Sequence, residues 1–76
     1  MSGPLKRSVT IAGHRTSLSL EPEFWAALKI LAARQGQSVA GLVQNIDDER
    51  TAQGARGGLS SALRVYVLTA AQQDNC

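Results

Sequence analysis

From Thr16 to Leu20 the chain reads TSLSL, an alternation of polar and apolar residues with the period of a half-buried strand. Glu21 and Pro22 end that rhythm, and Phe24, Trp25, Leu28 and Leu31 follow at helical spacing. Upstream, Ser8-Val9-Thr10-Ile11 is rich in β-branched residues and sets Val9 and Ile11 on one face. Between Ile11 and Leu18 the alternation slips by one residue, which moves the apolar set to the other face of a continuous strand. A bulge or turn at Ala12-Gly13 absorbs the slip. The pattern predicts a strand region over 8–20, either one bent strand or two short ones, and leaves both open. A strand on its own has unpaired N–H and C=O groups, and the pattern shows no obvious second strand inside the chain for Thr16 to Leu20.

Helical spacing governs the rest. Pro22 suits the first position of a helix over 22–35, because its missing N–H is unpaired there and its φ is already helical. Phe24, Leu28, Leu31 and Ala32 form its apolar stripe with Trp25 beside it, and Gly36 supplies the left-handed residue that ends it. Ser38 is an N-cap for a second helix over 38–49, in which Val39, Leu42, Val43 and Ile46 repeat at i, i+3, i+4, i+7. Gly41 inside it costs about 1 kcal/mol relative to alanine and marks either a closely approached backbone or a tolerated weakness. TAQGARGG, 51–58, reads as a connector. A third helix over 60–71 places Leu59, Leu63, Tyr66, Val67 and Ala70 on one face, although Val65 and Val67 would also suit a strand. Residues 1–5 read as a flexible tail. The expectation is one domain over 1–76, mainly α with a short N-terminal β-strand or bent ribbon.

Size then raises a difficulty. A chain of 76 residues buries only about 60–65% of its unfolded surface and has a marginal core. Its single cysteine, Cys76, excludes an internal disulfide, and one histidine, His14, leaves too few soft ligands for structural zinc. A second subunit is the remaining source of stability. The net charge of +2 is modest, but residues 1–20 hold Lys6, Arg7 and Arg15 with no acid, whereas Asp47, Asp48 and Glu49 sit together later. A basic segment ahead of a mixed body points to an anionic partner. Leu5, Val9 and Ile11 do not build the continuous apolar core of a signal peptide, and no apolar run is long enough to span a bilayer. A cytoplasmic protein with no membrane partner is expected. Catalysis, a metal and a cofactor are not: acid, base and nucleophile never gather, and Asp47-Asp48-Glu49 occupy successive helical positions that face different ways.

Three motifs in order, RTSLSL, FWAALKILAARQG and the QSV that opens the second helix, resemble the ribbon-helix-helix family of small DNA-binding repressors. The resemblance runs from Arg15 to Ile46, and the Gly36-Gln37-Ser38-Val39 junction is its most characteristic piece. The longer RSVTIAGHRTSLSLEPEFW opening and the late LSSALRVYVL helix look like an uncharacterised bacterial subgroup. The resemblance implies an intertwined homodimer in which the strand pairs with its own copy, an intersubunit antiparallel β-ribbon, plus a third C-terminal helix. It implies a dimer core of Leu18, Leu20, Phe24, Leu28, Leu31, Val39, Leu42, Val43 and Ile46. A two-stranded ribbon fits the major groove of double-stranded DNA. The face opposite Leu18 and Leu20 carries Arg15, Ser17 and Ser19, with Arg15 placed to reach guanine O6 and N7. Ser38, Val39 and Ala40, at the positive end of the second helix, would clamp a phosphate. Lys6, Arg7 and His14 would add contacts from a flexible arm. Family members often carry longer polar side chains where Ser17 and Ser19 stand, so specificity is either strong or weak. A transcriptional regulator is the expected function; the alternative is a dimeric protein-interaction module, antitoxin-like or an adaptor, that meets a partner protein through its C-terminal helix. A helix-turn-helix reading fails on charge, because Asp47, Asp48 and Glu49 on the second helix repel phosphate.

Overall fold

The computed structural model describes residues 3–54 and 58–74, so Cys76 and the 55–57 stretch of the connector lie outside the described residues. Two strands precede three helices: β1 Leu5–Ile11, β2 His14–Leu20, α1 Pro22–Arg34, α2 Val39–Ala52 and α3 Leu59–Asp74. The strand region is thus two strands, and the first begins at Leu5, inside what reads as a tail. α2 runs on to Ala52, into the expected connector, and the stretch with strand-like Val65 and Val67 is helical.

β1 and β2 pair antiparallel from Leu5↔Leu20 to Ile11↔His14. This corrects the expectation that the strand before the first helix lacks an in-chain partner. The one-residue slip is the signature of that pairing. A two-residue turn pairs odd positions of one strand with even positions of the other, so Ile11 and Val9 share a face with Leu18 and Leu20. Ala12 and Gly13 both have positive φ, 52° and 79°, as the type I′ hairpin turn requires.

The inner face of this hairpin packs on the helices. Ile11, Leu18 and Leu20 are buried with Trp25, Leu28 and Ala32 of α1, Leu42, Val43 and Ile46 of α2, and Leu63 of α3. Each of the large aliphatic side chains among them contributes about 1.5–3 kcal/mol by leaving water. Of the expected dimer core, Leu18, Leu20, Leu28, Leu42, Val43 and Ile46 are buried within one chain, while Phe24, Leu31 and Val39 are half-buried against them. Leu63, absent from that expectation, has no exposed surface, so α3 closes the monomer's core rather than trailing from it.

The two junctions are tightly specified. Pro22 starts α1, and the Glu21 carbonyl accepts from the N–H of Phe24 and of Trp25, at 2.9 and 3.2 Å. At the other end Gly36 N–H donates to Ala33 O and Gln37 N–H to Ala32 O, with Gly36 at φ 68°. These are the paired bonds of a Schellman cap. Gln37 and Ser38 then lead directly into α2.

Candidate nucleic-acid interface

The hairpin's outer face follows from its register. Lys6 stands opposite Ser19, Ser8 opposite Ser17 and Thr10 opposite Arg15. All six are exposed, and none is an acid. Arg15, Ser17 and Ser19 therefore share their face with Lys6 as well as with Ser8 and Thr10, which sequence reasoning missed. The missing signal was the hairpin: once Ala12-Gly13 is read as a two-residue turn, the three β1 residues fall into place.

Arg7 and His14 go elsewhere. Lys6 and Arg7 lie in a regular strand, not a loose arm. Arg7 pairs with Leu18 in register and holds its guanidinium 5.5 Å from the centroid of the Trp25 ring. His14 stands beside the turn opposite Ile11.

The hairpin also leaves an edge. The turn sets Ile11↔His14 as a hydrogen-bonded pair, and antiparallel pairs alternate along the ladder. Arg15, Ser17 and Ser19 consequently direct their N–H and C=O groups to the side of β2 away from β1. Arg64 Nη2 reaches the Ser19 carbonyl there at 3.4 Å, and its Nε donates to Glu21 Oε1 at 3.1 Å. The Glu21 carboxyl is held below its ordinary value of 4.5, first by a hydrogen bond from its own backbone N–H and then by Arg64. The Arg64 guanidinium also lies 5.9 Å from the Phe24 ring centroid.

The second cluster is the start of α2. Ser38 Oγ accepts from Gly41 N–H at 3.0 Å, the bond of an N-cap. The first N–H groups of the helix, on Val39 and Ala40, have no intrahelical acceptor. Gly41 is explained by the same cap: a Cβ on it would come within 3.3 Å of Ser38 Oγ and 3.4 Å of Gln37 Oε1. A chain of side chains holds this turn in place, from Asn45 Nδ2 to Gln37 Oε1 (2.9 Å), Gln37 Nε2 to Gln35 Oε1 (2.9 Å) and Gln35 Nε2 to the Tyr66 hydroxyl (2.7 Å). Gln44 ties the hairpin tip to α2 by accepting from Ala12 N–H, and donates to Asp48 Oδ1 at 2.8 Å. These amides were invisible in the sequence, since each bridges elements that no local pattern connects.

Asp47, Asp48 and Glu49 are dispersed. Asp47 pairs with Arg50 at 2.7 Å, Asp48 accepts from Gln44, and Glu49 from Gln53 at 3.5 Å. Among the described residues no group of three or more His, Cys, Asp or Glu could hold a metal ion, and no helix is long and apolar enough to cross a membrane. A different surface lies along α3. Phe24, Arg64, Val65, Val67, Leu68 and Ala71 line an apolar groove of about 300 Å³, and Val65 and Leu68 are 59% and 56% exposed.

The ribbon-helix-helix domain family matches the chain over residues 4–71. Among solved structures, an uncharacterized protein from Bordetella pertussis Tohama I is 32% identical and superposes with a TM-score of 0.76, covering 95% of this chain and 60% of that one. The chain therefore spans less than two thirds of that protein's length. No curated protein matches.

Proposed function

Because the chain belongs to the ribbon-helix-helix domain family, we propose that it is a DNA-binding transcriptional regulator of the bacterial cytoplasm, acting as a homodimer on double-stranded DNA. The observation that carries this reading is the outer hairpin face, on which Lys6 and Arg15 stand among four hydroxyl side chains with no acid. Ser38, Val39 and Ala40 add donors at the positive end of α2, which position phosphates without reading sequence. The homodimer uses the open edge of β2, where Arg15 and Ser17 offer their N–H and C=O groups, and Ser19, whose carbonyl Arg64 holds, its N–H, to an identical strand about a two-fold axis. Arg7 and His14 are secondary contacts at most, given their register.

Two variants test the parts separately. Replacing Arg15, Ser17 and Ser19 by alanine lowers affinity for duplex DNA and leaves the dimer intact; a triple variant that binds DNA like the wild type removes the face from the reading. Ser17→Pro deletes an N–H that β1 does not use, so sedimentation should find a folded monomer. A folded dimer would place the interface elsewhere.

The exposed Val65 and Leu68 favour a second reading, in which α3 meets a partner protein. α3 is already packed through Leu63, so such a partner would add to the fold rather than complete it. Under that reading Val65→Ser/Leu68→Ser abolishes the partner interaction with DNA binding unchanged.

A further inference from the structure

The in-chain hairpin changes what a β2-paired dimer presents to DNA. Two chains joined at their β2 edges form a sheet ordered β1-β2-β2-β1, four strands wide. Strands lie about 4.8 Å apart, so the outer pair is about 14 Å apart before any side chain is counted. The major groove is about 12 Å wide and about 8.5 Å deep. A two-stranded ribbon enters such a groove; this sheet is wider than the opening.

We infer that the dimer lies across the mouth of the major groove, with β1 of each protomer over a phosphate wall and Arg15 alone reaching base edges, so that it binds duplex DNA with weak sequence preference. The inference rests on the DNA-binding dimer proposed above. The residue types fit this division. β1 brings Lys6, Ser8 and Thr10 to the walls, a cation and two hydroxyls that suit phosphate oxygens. β2 brings Ser17 and Ser19 over the groove, where a sheet held at the mouth leaves their short hydroxyls far from the bases. Arg15 is the long side chain of that strand's outer face, and its planar fork suits guanine. Lys6 is thereby a phosphate-wall residue and not a tail contact.

The test is fluorescence anisotropy of the full chain on a random duplex pool and on the tightest site selected from it, titrated with salt. Lys6 from both protomers neutralises about two phosphates while Arg15 faces the bases, which gives a log–log salt slope of about −1.8 and about a tenfold loss between about 50 and 200 mM salt. Lys6→Ala should remove most of that slope on every sequence alike. Ser17→Ala/Ser19→Ala should change affinity less than about twofold and leave the base preference of the selected site unaltered. The selected site should exceed the pool by less than about tenfold, far under the usual factor of about 10³ or more for specific binders. A selected site preferred by that larger factor, or a base preference that shifts in the serine variant, overturns the inference with DNA binding intact. So does a monomer in sedimentation, since a lone hairpin is narrow enough to enter the groove. No binding to either duplex at low salt overturns the DNA-binding reading itself.

Discussion

The two faces of the β1–β2 hairpin share one backbone and one register, yet they have opposite chemistry. Toward the helices, Ile11, Leu18 and Leu20 are buried and Val9 and Thr16 half-buried; toward solvent, Lys6, Ser8, Thr10, Arg15, Ser17 and Ser19 are all exposed. The inner face carries stability, because its apolar side chains have left water for the helices. The outer face contributes little to the fold and is free to vary toward a ligand. A substitution therefore reports its face by which measurement it moves.

The largest effect belongs to the inner face. Leu20→Ala removes a side chain with no exposed surface and should cost about 2–5 kcal/mol in urea unfolding. Leu63→Ala should fall in the same range, since Leu63 is equally buried from α3. A loss near zero at Leu63 would detach α3 from the core. Ser38→Ala sits between the faces: it should lower stability by about 1 kcal/mol through the lost cap and also weaken DNA binding, so both readouts move.

Smaller effects come from the turn and the edge. Ala12 holds φ 52°, a left-handed conformation that strains alanine but that Asn, favoured at this position before glycine, adopts more readily. Ala12→Asn should raise stability by about 0.5–1 kcal/mol, read as a higher urea midpoint with an unchanged slope. The smallest effect is the acid dependence of Glu21. Its folded-state value lies below 4.5, so the unfolded chain takes up its proton first as pH falls. The stabilisation is full above 4.5 and disappears as pH drops through the lowered folded value. Glu21→Gln should flatten this acid limb of the stability profile; an unchanged limb would assign it to other carboxylates.

Local chemistry made much of this legible. Pro22, Gly36 and Ser38 mark the helix boundaries by mechanisms that act within a turn, and the structure uses each of them. The strand before α1 was equally clear from Thr16, Leu18 and Leu20. Its partner was not, because the slip between Ile11 and Leu18 fits one bent strand as well as two short ones, and nothing local says that the two halves pair with each other. Ser8 and Thr10 were lost with it. Leu63 sat in a recognised apolar stripe, but no stripe says what it packs against. Gln44 and the Asn45–Gln37–Gln35–Tyr66 chain were beyond reach, since their partners are set by how distant elements come together. The outer face was half legible for the same reason: Arg15, Ser17 and Ser19 follow from alternation, while Lys6 joins them only through pairing.

The most direct test of the outer face is one anisotropy titration on a random duplex, comparing wild type with Lys6→Ala/Arg15→Ala, beside a thermal melt of each. The result expected is wild-type binding that weakens steeply with salt, a loss of more than about tenfold in the variant, and melts that agree within about 0.5 kcal/mol, as for surface substitutions. A variant that keeps both its melt and its DNA affinity would contradict the assignment of this face.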